Sequence, residues 1–343
     1  MWSVDHQTPF ESQGYFVRDR DGAEHWVVGV RAIFDIREDG FVSVAEAQKP
    51  VRLAPEYDDD EAAELAAETD LCPFRRRADF IVKGVACLPD AAEATAFEAS
   101  VAVAGFEKRA FVCGKRQLHV ARRRAVIEGP EPFGGVRLTW RNSLGGRDPL
   151  AETHEGEDAV NLANPVGKGW TAQWAKLPDA TELDLPSIEN ASERIDVGRP
   201  LPAPFGFGPV QPYWQPRRDH AGTYDEAWRA TRSPLLPEDF DERFHQAAPD
   251  DQVLGLKGGE RIRAINLHPD GLFEFRLPQL ILEARTRLGR ETIDHRFRLI
   301  SVCLDTEAKR VEMVWNAHVP CNGRDMELDG STVRLRQMSG VAR

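Results

Sequence analysis

Strict alternation of apolar and polar side chains is the feature that most constrains this chain. In HWVVGVRAIFDI, Trp26, Val28, Val30, Ala32, Phe34 and Ile36 fall on one face of an extended backbone. FEASVAV repeats the pattern with Phe97, Ala99, Val101 and Val103, and VRLTW with Val136, Leu138 and Trp140. A period of two in β-branched and aromatic residues predicts half-buried strands. From residue 259 onward RIRAINL, LFEFRL, QLILEARTRL, IDHRFRLISVCL and RVEMVWNAHV follow one another across short turns. That succession predicts antiparallel pairing. The fold class is therefore mainly β, with strand-rich regions at 1–141 and 259–343.

Residues 142–258 break the alternation. Pro200 to Pro237 holds eight of the 23 prolines, and Trp140 to Trp228 five of the eight tryptophans. Aromatic content argues against disorder. An ordered, loop-rich central region with short helices is expected, joining the strand-rich regions or integrated with them in one unit. Within it, GTYDEAWRATRSPLLPEDFD reads as a signposted bracket. Gly222 opens it. Thr223 and Glu226 have capping-box spacing, so a helix is expected over about Tyr224 to Arg232, stopped by Pro234. Pro237 suits the first turn of a second helix that would align Phe240 with Phe244. NLANPVGKGW forms another local signal, in which Asn164, Pro165 and Gly167 predict a tight turn.

The acidic run Glu56–Asp70 has eight carboxylates and no basic residue. It reads as a solvated short helix or mobile loop. The triplets Arg75–Arg77 and Arg122–Arg124 read as solvated or ion-paired. The net charge of −12 disfavours nucleic acid as a partner. Five cysteines, Cys72, Cys87, Cys113, Cys303 and Cys321, are widely spaced, which fits reduced thiols in a cytoplasm. No apolar run is long enough to span a membrane and no signal core opens the chain.

No GxSxG, HExxH, HxH, P-loop or dinucleotide fingerprint occurs. Neither catalytic residues, metal ligands nor a cofactor are expected. Asp225 beside Tyr224 and Trp228 is the best acid for a sugar subsite, so a carbohydrate-active enzyme or glycan-binding protein is the alternative reading. At the second position of a helix, however, a carboxylate is favoured by the helix dipole alone.

Several motifs in order carry a resemblance: WSVDHQTPFESQGYF, ADFIVKGVACLPD, VAVAGFEKRAFVCGKRQLHV, NSLGG, NPVGKGW, PAPFGFGPVQPYWQPR, the Gly222–Gln252 stretch and GGERIRAINLHPDG. Together they cover roughly residues 1–280, and on them the chain resembles the domain-of-unknown-function family 2169. The resemblance implies a bacterial adaptor or chaperone of type VI secretion. Such a protein holds a toxin effector in the cytoplasm and assists its loading onto the VgrG spike, with no catalytic residues. Trp214, Arg217, Tyr224, Asp225 and Trp228 are the candidate protein-binding residues, since aromatics and arginine are enriched at interfaces. Burial as internal pins is the competing reading for these aromatics.

Overall fold

In the computed structural model, which describes residues 2–58, 64–152, 156 and 159–342, strand accounts for 44% and helix for 9%. Glu24–Ile36 is the longest strand. Its even positions Trp26 to Ile36 all enter the main core. The opposite face is buried as well: Val27 packs with Val51 and Leu71, and Arg31 is 3% exposed within an ion network. Alternation predicted one wet face; loops bearing compensating charges cover it.

Strands distant in sequence complete the sheets. Glu24–Ile36 pairs antiparallel with Glu11–Arg18 on one side and with Arg310–Pro320 on the other. Arg298–Asp305, Ala78–Lys83 and Val253–Leu254 continue a seven-stranded sheet, and Val42–Val44 pairs off its path. Arg298–Asp305 and Ala78–Lys83 pair parallel within it. A five-stranded antiparallel sheet runs Ile188–Asn190, Phe106–Cys113, Ala96–Val103, Arg261–Ile265, Leu272–Arg276. A four-stranded sheet runs Ser3–Gln7, Leu328–Ser339, Gln279–Leu288, Glu291–Arg296. All three contribute to one hydrophobic cluster. Regions 1–141 and 259–343 thus share both sheets and core, and burial of their apolar faces against each other joins them into one unit.

Two local expectations are corrected. VRLTW keeps strand pairing only at Val136–Arg137, and Trp140–Asn142 is a 3-10 turn. The Glu64 carboxylate causes this by accepting hydrogen bonds from the amides of Trp140 (3.0 Å) and Arg141 (3.2 Å). The acidic run, in turn, is not a solvated helix or loop throughout. Glu56–Tyr57 and Leu65–Ala67 pair antiparallel, and Glu64 and Asp70 are 5% and 3% exposed. Their partners are remote arginines. Asp70 accepts from the Arg52 amide (2.8 Å) and guanidinium (3.1 Å), and Arg52 also binds Glu312. Residues 59–63 of the run lie outside the described residues.

Candidate protein-docking site

The central region is built on two interlocked turns. Leu144–Gly145 of NSLGG pairs parallel with Lys168–Gly169 of NPVGKGW. Asn164 is fully buried and its side-chain amide donates to the carbonyls of Trp140 (2.8 Å) and Leu144 (2.9 Å). The turn expected at Asn164, Pro165 and Gly167 is therefore a clamp. Gly167 is required by contact: a Cβ there would lie 2.6 Å from the Ser143 carbonyl oxygen and 2.4 Å from the Asn164 amide nitrogen. Over this clamp Trp140 packs edge-on to Trp214, ring centroids 5.9 Å apart, with Val210 alongside.

Trp214 is 1% exposed and Arg217 6%. Both are internal pins, and the interface assignment made for them from sequence is corrected. Arg217 donates to the carbonyls of Phe244 (2.8 Å) and Val210 (2.9 Å) and to Glu68 Oε2 (2.6 Å). One guanidinium thereby ties the acidic segment, the proline-rich segment and a downstream 3-10 turn. Burial opposes ionisation of Glu68, yet the cations Arg217 and Arg75 hold its carboxyl below the usual range. Beside them, burial and the same two arginines depress His245 to about 4.

The bracket Gly222–Asp241 departs from its expected capping. Its α-helix is Glu226–Thr231, and the N-cap is Asp225, whose carboxylate accepts from the Trp228 amide at 2.8 Å. Thr223 instead donates through its amide (2.9 Å) and hydroxyl (2.7 Å) to the Asp239 carboxylate. Glu226 pairs with Arg229 on the surface. Hence the Thr223–Glu226 capping box does not form: Thr223 is turned toward Asp239, to whose two carboxylate oxygens its amide and hydroxyl donate, and Asp225 takes the N-cap position instead. Nor does Pro237 begin a second helix. Residues 238–239 form a turn, and the next helical element is the 3-10 segment Glu242–His245, capped by Asp241. Phe240 and Phe244 still meet, centroids 5.6 Å apart.

The bracket is closed and tethered. Gly222 has φ +80°, and a Cβ there would approach Pro237 Cβ to 2.8 Å and the Phe240 amide to 3.0 Å. Arg232 reaches Asp21 Oδ1 (2.6 Å) in the turn between the first two strands of the seven-stranded sheet, and Leu235 packs over Gly22. At the other end Phe240 is buried. On this frame Tyr224 stands edge-on to Trp228, centroids 4.8 Å apart, and the Trp228 indole donates to the Leu235 carbonyl at 2.8 Å. Trp228 is half-buried and Tyr224 is 51% exposed. Thr223, Asp225, Trp228, Arg232 and Pro237 line a shallow open groove of about 320 Å³.

Of the sequence candidates, the fold brings Tyr224, Asp225 and Trp228 together with Gly222, Thr223 and Pro237, and places Trp214, Arg217 and the Asn164 clamp in the interior. Asp225 is engaged as a cap. Sequence reasoning missed Arg232, Leu235 and Asp239, which hold the groove through contacts to residues remote from them in the chain. Among the described residues no group of three or more His, Cys, Asp or Glu side chains could hold a metal ion, and no helix is long and apolar enough to cross a membrane.

Residues 21–316 match one family model, described as an uncharacterized protein conserved in bacteria (DUF2169). No match was found among curated proteins or among solved structures.

Proposed function

We propose, from the premise that this chain belongs to the DUF2169 family, that it is a non-catalytic adaptor. It binds a type VI secretion toxin effector in the cytoplasm and assists its loading onto the VgrG spike. The observation that carries this reading is the Tyr224–Trp228 pair: one exposed and one half-buried ring, in edge contact, on a bracket tethered at both ends. A rigid, partly exposed aromatic pair loses little conformational entropy on docking and belongs to the residue types that dominate interface energetics. The rim of the groove supplies Asp225, Arg232 and Asp239 as polar flanks.

Co-expression with a type VI secretion toxin effector from the same genome tests the reading. A soluble complex is expected, weakened about 30-fold by Tyr224→Ala, equivalent to roughly 2 kcal/mol. Failure of the toxin to co-purify with the unaltered chain would overturn it.

A further inference from the structure

The outer face of the four-stranded sheet carries a pattern that the docking bracket does not explain. Along Gln279–Leu288 the buried side chains Leu282, Ala284, Thr286 and Leu288 alternate with Glu283, Arg285 and Arg287, which face outward. Register fixes their neighbours. Glu283 lies opposite Arg296 on one adjacent strand and Arg334 on the other. Arg285 lies opposite Asp294 and Thr332 in the same way.

Three carboxylates of this face are engaged, while Asp5, opposite Thr332 on the outermost strand, stands exposed at the second groove. Asp294 accepts from Arg285 (2.7 Å), Glu283 from Arg336 (2.6 Å), and Asp329 pairs with Arg287. Arg296 and Arg334 are exposed and have no ion pair among the described residues, flanking Glu283 along the wall of an open groove of about 420 Å³. A second groove of about 470 Å³ shares Arg285 and Thr332 with the first, so the depression runs along the sheet. Around the first groove Arg285, Arg296, Arg334 and Arg336 outnumber Glu283 and Asp294, a local cationic excess on a chain of net charge −12.

We propose that this face docks an acidic polypeptide segment of a partner protein. Arg296 and Arg334 sit on strands two spacings apart, so their backbone positions are separated by about 10 Å. Same-face carboxylates of an extended segment are about 7 Å apart, within reach of the two long side chains, and each guanidinium can take one in a bidentate fork. Glu283 between them selects for polypeptide over nucleic acid. An unbroken phosphate backbone would be repelled by the central carboxylate, whereas a peptide places a neutral or basic residue opposite it. Leu328–Ser339, one of the four strands, lies beyond the residues matched by the family model.

The probe is a fluorescent decapeptide of glutamates interspersed with serines, followed by anisotropy on the full-length protein. Saturable binding is expected. Raising salt from about 50 to about 300 mM should weaken it, because the contacts are exposed charges. Arg296→Glu with Arg334→Glu should weaken it about tenfold or more, the scale of two exposed charge contacts. Arg77→Glu with Arg124→Glu, the same charge change on other surfaces, should leave it within about twofold. Arg296→Gln with Arg334→Gln, with the unaltered melting curve expected of exposed sites, guards against misfolding of the reversed variant. Absence of saturation, equal weakening by the two charge-reversed pairs, or tighter binding of duplex DNA than of the peptide each overturns the proposal.

Discussion

Replacing Arg217 with methionine keeps most of the side-chain volume and removes the charge and its donors. Arg217 is 6% exposed and bonds two carbonyls and Glu68, whose side chain is only 11% exposed. Breaking a buried pair from one side leaves an uncompensated charge and costs roughly 3–5 kcal/mol. The loss should depend on pH. With Arg217 present, the folded-state pKa of Glu68 lies below its ordinary value. That pairing therefore adds stability above about pH 4.5, and the contribution disappears as pH falls through the folded value. The deficit of Arg217→Met should be full at pH 7 and shrink below about pH 4.5. Adding Glu68→Gln should restore part of the stability, since the orphaned charge is then gone. Urea unfolding of the four proteins of this cycle, followed by tryptophan fluorescence, measures all three effects. A deficit below about 1 kcal/mol at pH 7, or one unchanged on acidification, would refute the assignment of Arg217 as an electrostatic tie.

Three further outcomes are expected. Asn164→Ala should cost roughly 2–4 kcal/mol in the same assay, because two buried carbonyls lose their donor. Tyr224→Ala should leave the unfolding midpoint nearly unchanged, whereas Trp228→Ala should lower stability by roughly 1–3 kcal/mol, because only Trp228 is substantially buried and hydrogen-bonded. Burial, reinforced by Arg75 and Arg217 for one and by His318 for the other, depresses His245 and His295 to about 4. The unfolded chain therefore binds more protons than the folded one between about pH 6.5 and 4. Stability should be level above about pH 6.5 and fall toward pH 4.5 by roughly 2.5 kcal/mol per histidine, and His295→Gln should flatten part of that fall in a pH series of urea midpoints.

The strands were legible wherever alternation was strict. Trp26 to Ile36 and Phe97 to Val103 lie where period two places them. What sequence lacked was pairing across distance. Nothing near Glu24–Ile36 announces Arg310–Pro320 as its neighbour, because register is set by which faces bury together. Trp140 left its strand for a carboxylate 76 positions away. Glu64, Glu68 and Asp70 looked solvated because the arginines that neutralise them, Arg141, Arg217 and Arg52, lie elsewhere in the chain. At the candidate site Tyr224 and Trp228 do meet, but Tyr224 lies ahead of the Asp225 cap and outside the helix, so the contact is made across the helix start and not along one helical face. The cap was not legible either, because Asp239, 16 residues on, takes the Thr223 hydroxyl and leaves Asp225 to start the helix.

The most direct test of the proposed adaptor role is the affinity of the purified chain for a type VI secretion toxin effector from the same genome, measured by titration calorimetry with the unaltered protein and with Tyr224→Ala. The account predicts a stoichiometric complex whose Kd rises about 30-fold in the variant while its unfolding midpoint stays in place. No measurable binding by the unaltered chain, or equal affinity for both proteins, would contradict it.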